Sequence, residues 1–240
     1  GGCDGHAPTH FWRCSHADLH IEIMNVDRIT FQSVVPQVFE SQKEALHSEV
    51  WNRKLTFEKG KLYLIEAASG RGKSTFCSYV LGYRHDYSGQ VLFNDVPTST
   101  FKVRDWVEAR RLHISHLFQE LRLFPELTAF ENIVIKNKLT NFKSQEQIAT
   151  WFEQLGIADK MHERIGRMSF GQQQRVALIR ALVQPFDFLL VDEPISHLDD
   201  KNAAVMAEMM MKEAHKQGAG VLVTSIGKHM DLPYERVVKL

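Results

Sequence analysis

The chain has 240 residues, 44% of them apolar and 24% charged, enough to bury one large domain or a domain with an inserted lobe. Lys plus Arg equals Asp plus Glu at 29 each, so net charge gives no reason to expect nucleic acid or an anionic membrane as partner. The three cysteines (Cys3, Cys14 and Cys77) are too few and scattered for a disulfide framework, which favours a reducing compartment. No apolar run approaches the ~20 residues that span a bilayer, so a membrane role needs a separate partner.

Residues 1–23 stand apart. They carry Cys3, His6, Cys14 and His16, which could be read as zinc ligands, yet the spacings fit no finger pattern. The stretch reads instead as a disordered leader or an extension added ahead of a start at Met24, and it lacks the charged-then-apolar layout of a signal peptide. Beyond it, residues 29–35 and 51–57 are β-like and 61–67 read as a core strand. Further strands are expected at 90–94, 112–118, 186–192, 221–224 and in the final "RVVKL". Residues 128–167 have a helical pattern and no convincing strand. The expected architecture is α/β, with an antiparallel β region on the N-terminal side and a helical lobe, about 120–167, inserted into the core.

The stretch "IEAASGRGKSTFCSYVL" carries the most chemistry. A strand ends at Ala67, a loop of small residues follows, and Lys73, Ser74 and Thr75 open a helix. Gly70 and Gly72 permit backbone angles that point several N–H groups into one concavity, and the helix N-terminus adds its positive end. Lys73 can reach β- and γ-phosphates, and the Ser74 hydroxyl can ligate Mg²⁺. The strict phosphate-loop pattern has glycine where Ala67 stands. In "FDFLLVDEP" an apolar run delivers Asp192, suited to a Mg²⁺ hydration shell, and Glu193, suited to act as general base on an attacking water. Between them, "RMSFGQQQRVALIRAL" places Ser169, Gly171 and Gln172 at a second helix start, again an anion site. Two phosphate-reading helix starts in one chain suggest a nucleotide sandwiched between two copies.

Together these segments resemble the ATP-binding cassette (ABC) ATPase family over about residues 29–240. The Walker A segment matches at Ser69, Gly70, Arg71, Gly72, Lys73, Ser74 and Thr75. Walker B matches at 189–193, and the signature at 169–172. The resemblance places Gln119 as the Q-loop glutamine that senses Mg²⁺ and the γ-phosphate. It places "SHLD", ending in Asp199, as the D-loop. The finer look is of bacterial lipoprotein-release, cell-division and methionine-import ATPases. It implies a P-loop NTPase core with a mixed sheet, ATP and Mg²⁺ as cofactors, and metal contacts from Ser74, Gln119 and Asp192. It also implies a homodimer or heterodimer of cassettes and a separate integral-membrane subunit. The chain is then expected to be cytoplasmic, peripheral on the inner face of the cell membrane. Phe39, with Phe31 as fallback, lies where the family stacks an aromatic on adenine. The alternative for Phe39 is simple packing in the sheet.

Three departures set the expectations for activity. Ala67 is mild. Phe170 stands where the family has a glycine after the signature serine. Where the family ends a strand in a γ-phosphate-binding histidine, this chain has Ser225 or Ile226, with His229 downstream as a substitute. Losing one donor to developing charge costs roughly 10²–10³ in rate. The expectation is an ATPase with slow turnover; the competing reading is a regulatory cassette that binds ATP with little hydrolysis.

Overall fold

The computed structural model describes residues 25–192 and 198–240; the expected leader, Glu193, Ser196 and His197 lie outside the described residues. The chain forms two sheets. The first is antiparallel, in the order β2-β1-β4-β5, from β1 (Arg28–Pro36), β2 (Lys54–Glu58), β4 (Tyr87–Phe93) and β5 (Val96–Pro97). The second is parallel, in the order β6-β7-β8-β3-β9, from β3 (Leu62–Glu66), β6 (Ile114–Leu117), β7 (Phe188–Asp192), β8 (Gly220–Ser225) and β9 (Arg236–Lys239). The antiparallel and parallel strands expected from the sequence thus fall into separate sheets. Among the described residues six α-helices join them: α1 (Gly70–Val80), α2 (Val103–Glu108), α3 (Ala129–Asn137), α4 (Gln145–Gln154), α5 (Phe170–Leu182) and α6 (Asp200–Gln217).

β3, β7 and β8 are buried on both faces, and alternation sends their side chains into two cores. Phe188, Leu190 and Leu222 face the core that holds Phe31, Phe57 and Phe76 of the β1, β2 and α1 layer. Leu189, Val191, Val221 and Val223 face the other, built on Ile133, Trp151, Phe152, Val176 and Met210 of α3 to α6. Between β6 and β7 the described chain is helical, and its sole β pairing is an isolated bridge from Thr128 to Arg164.

Several boundaries differ from the sequence pattern. The expected strand at 112–118 begins only at Ile114, because a π-helical turn over Ala109–His113 extends α2. The strand expected from 51 starts at Lys54. Val50 and Trp51 donate their N–H groups to the Ser48 hydroxyl, and Asn52 takes a left-handed φ of 55°, so those residues turn. β1 carries a bulge between Gln32 and Val35, with Ser33 at φ 53°. Gly89 opposes that bulge at φ +80°, and a Cβ there would lie 2.1 Å from the Ser33 carbonyl oxygen, so only glycine fits. At the start of β7, Asp187 accepts from Lys59 Nζ at 2.6 Å and Val26 N at 2.8 Å, and pairs with His113 Nδ1 at 2.7 Å. Burial alone would raise its pKa, but these donors outweigh burial and hold the carboxyl below the usual range.

Candidate nucleotide site

The site is built where β3 gives way to α1. β3 runs between β8 and β9, and Ala67 N donates to the Ser225 carbonyl at 2.9 Å, tying the loop to the end of β8. Ser69 is the N-cap of α1, yet its hydroxyl makes no capping bond. The first-turn N–H groups, opened by Gly70 and Arg71, therefore have no side-chain acceptor from the cap, and such groups are where anions bind. Gly72 lies within this turn and does not take a left-handed φ. A Cβ on it would meet only the tip of Leu240, at 4.0 Å. Gly72 thus makes no use of glycine's left-handed freedom, and a Cβ there would find room.

Lys73 is fully buried, and its ammonium donates to Gln119 Oε1 at 2.7 Å and pairs with Asp192 Oδ1 at 3.0 Å. The same Oδ1 accepts from the Thr224 hydroxyl at 2.8 Å. Ser74, Gln119 and Asp192 line one cavity of about 130 Å³. The fold therefore gathers four sequence-predicted residues from α1, the segment after β6 and the end of β7. Thr224 was missed by sequence reasoning, although strand alternation from Leu222 places it on the Asp192 face. Thr75 is buried and accepts from Arg84 NH1 at 3.1 Å. Arg84, clamped by Asp86, carried no sequence signal.

A wider groove of about 440 Å³ opens beside this cluster, lined by Phe39, Trp51, Ser69, Gly72, Thr75 and Arg84 among others. Phe39 lies half-buried on a 3₁₀ helix, Gln37–Ala45, rather than in the sheet. The fallback aromatic, Phe31, is fully buried and stacked on Phe76 with centroids 5.0 Å apart, so it cannot reach the groove.

The remaining predicted residues sit elsewhere. Ser169 caps α5: its hydroxyl accepts from Gln172 N at 3.2 Å, and Gln172 Oε1 accepts from Ser169 N at 3.0 Å. Phe170, 40% exposed, points away from the core, and Gly171 follows it in the first turn. Asp199 caps α6, accepting from Asn202 N at 2.8 Å and Asn202 Nδ2 at 2.9 Å. None of these five residues lines either cavity beside α1. At the end of β8, the fully buried Ser225 hydroxyl donates to the Lys228 carbonyl at 2.6 Å, and Ile226 is exposed. His229 lies 2.9 Å from the Met230 carbonyl through Nδ1 and lines a different cavity, with Leu198 and Asp200. Ser225 thus turns its donor back on its own chain.

Residues 50–196, more than half of the chain, match the family described as ABC transporter. The chain belongs to this family. It is 32% identical over 190 residues to the macrolide export ATP-binding/permease protein MacB 2 of Aeromonas hydrophila, covering 78% of this chain and 29% of that protein. It is 30% identical over 203 residues to the lipoprotein-releasing system ATP-binding protein LolD 2 of Rhodopseudomonas palustris, covering 83% and 88%. The ABC chain thus spans less than a third of its MacB relatives and most of LolD. Its fold matches the dimeric ABC transporter cassette MJ0796, with a TM-score of 0.74 at 24% identity over 88% of this chain and 94% of that one. A post-hydrolysis dimer of the same cassette, bound to ADP and Pi, matches with a TM-score of 0.66 at 25% identity over 82% and 87%. No helix among the described residues is long and apolar enough to cross a membrane.

Proposed function

We propose that this chain binds Mg²⁺–ATP beside α1, pairs with a second cassette and hydrolyses ATP slowly to drive a separate integral-membrane subunit. The observation that carries this reading is the Lys73, Gln119 and Asp192 cluster next to an uncapped helix start. Phosphates lie against the N–H groups of Ser69 to Thr75, with Lys73 swinging from Asp192 and Gln119 to meet them. Phe39 offers its ring face to adenine. Ser74, Gln119 and Asp192 form an all-oxygen donor set around one small cavity, which suits a hard cation such as Mg²⁺. Bound there, the ion supplies charge neutralisation at the β- and γ-phosphate oxygens.

The signature residues Ser169, Gly171 and Gln172, with Asp199, act on the nucleotide of the partner cassette, since they line neither cavity of their own. Glu193, one residue beyond β7, orients the attacking water. Turnover is slow because the Ser225 hydroxyl is engaged with Lys228 instead of facing a γ-phosphate. The working location is the cytoplasmic face of the cell membrane, through the membrane subunit. The test is ATPase activity of the purified chain and its Glu193→Gln, Ser225→Ala and Ile226→Ala variants. Slow hydrolysis abolished by Glu193→Gln, with ATP then trapping a dimer on gel filtration, is expected. Absence of ATP binding would overturn the reading. Fast turnover indifferent to both β8 substitutions would remove the slow-hydrolysis part alone.

A further inference from the structure

Two side chains beside the nucleotide site, Cys77 and His116, play no part in that chemistry, although they face Asp192, which does. β6 pairs with β7 so that His116 lies opposite Leu190. Alternation then sets His116, Leu190 and Asp192 on one face of the sheet, the face covered by α1. Cys77 lies one helical turn beyond Lys73 on α1, on the same side of that helix. The Cys77 sulfur, a ring nitrogen of His116 and an Asp192 carboxylate oxygen all lie within 4.8 Å of one another. All three side chains line the cavity of about 130 Å³.

His116 is itself unsatisfied. Both of its ring nitrogens are buried and neither has a hydrogen-bond partner. A buried imidazole without partners forgoes the bonds it made to water. Burial, with Arg122 and Arg180 nearby, pushes its pKa down to about 3. A metal ion takes the lone pair of one of the two ring nitrogens.

We propose that Cys77, His116 and Asp192 form a site for a borderline-soft divalent cation, with Zn²⁺ as the type. The sulfur, nitrogen and oxygen donors differ from the all-oxygen Mg²⁺ set and match zinc, which commonly takes three protein ligands and leaves a fourth position to water. Zinc bond lengths place neighbouring donors roughly 3.3–3.7 Å apart, so movements on the order of 1 Å close the set. On binding, the Cys77 S–H bond breaks, its proton passes to solvent, and a sulfur–metal bond forms. The Lys73 ammonium gives up Asp192 Oδ1 to the ion. Asp192 belongs to both donor sets, so this cation excludes Mg²⁺ and arrests the ATPase; that consequence, unlike the site itself, rests on the proposed function.

Co²⁺ is the probe, added to the full chain carrying Cys3→Ser and Cys14→Ser, in which Cys77 is the only thiol. Expected is one Co²⁺ per chain with a sulfur-to-cobalt charge-transfer band. Cys77→Ser abolishes the band, and His116→Gln weakens binding at least tenfold. Thermal unfolding monitored by circular dichroism checks that each variant is folded. In the ATPase assay, Zn²⁺ inhibits competitively with Mg²⁺, and Cys77→Ser raises the inhibitory concentration at least tenfold. A folded chain with no cobalt–thiolate band, or a band that survives Cys77→Ser, overturns the site. A chain with the band but no ATPase keeps the site and removes the function proposed above.

Discussion

α1 and α5 both begin in a small-residue loop that the sequence marks as a phosphate reader, and the fold treats them oppositely. At α1 the N-cap Ser69 makes no side-chain cap bond, so the first turn is left to a ligand. At α5 the N-cap Ser169 and Gln172 close a reciprocal capping box, satisfying donors that an isolated turn leaves open. The first start is prepared within the chain, with Lys73, Gln119 and Asp192 already around it. The second is stable alone and gives up its box only if something stronger arrives, such as a phosphate held by a partner cassette. An open helix start is thus ready for a ligand, whereas a capped one, as also at α3 and α4, already has its donors satisfied.

The largest expected effect lies at the open start. Lys73→Ala removes a donor to the phosphates and is expected to lower ATPase turnover about 10²–10³-fold, measured as phosphate release at saturating ATP. Unchanged turnover would place the phosphates elsewhere and end the contrast between the two starts. Phe39→Ala follows in size. Loss of base–aromatic stacking, worth about 1–3 kcal/mol per base, corresponds to a rise in the ATP dissociation constant of roughly 5–150-fold. Isothermal titration with ATP and with triphosphate alone separates the cause: only ATP affinity falls if the ring meets adenine.

Much of this was legible in residues 67–75 and 186–192, because strand, small-residue loop and helix are all local patterns. Asp192 emerging at a buried strand end was equally plain. The capping box is also present in the sequence, as Ser169 and Gln172 three residues apart, a spacing that serves a cap as readily as a phosphate. The groove was half legible: Phe39 could be named by distance along the chain, whereas its 3₁₀ helix and Arg84 depend on packing between segments. Least legible was the Cys77, His116 and Asp192 triad. Its members lie on α1, β6 and β7, and only sheet order and register bring them together. The engagement of the Ser225 donor follows from a turn to Lys228 that no propensity signals.

Stability measurements sharpen the contrast from the other side. Ser169→Ala removes a working cap and is expected to cost about 1 kcal/mol in urea unfolding. Ser69→Ala removes a hydroxyl that caps nothing and is expected to leave unfolding unchanged while weakening ATP binding. Equal losses of stability would show that Ser69 caps α1 in solution, and the two helix starts would no longer differ.

The smallest effect concerns α6, a third helix start, closed by a charged cap. Bonds from the Asn202 N–H and side-chain amide, against a smaller opposing contribution from burial, hold the Asp199 carboxyl below its usual pKa. A carboxyl whose pKa is depressed by folding contributes stability that is fully present above its unfolded value, about 3.9. That contribution is lost as pH falls through the folded value. Asp199→Asn keeps an oxygen to accept from Asn202 N but removes the titration. The variant should therefore lose less stability than the parent as pH falls below about 4, and should differ little near neutrality. Unfolding midpoints followed by circular dichroism across that range provide the measurement. Parallel acid limbs would mean that Asp199 is free of its cap in solution, leaving α6 as open as α1 and its carboxylate available to a partner cassette.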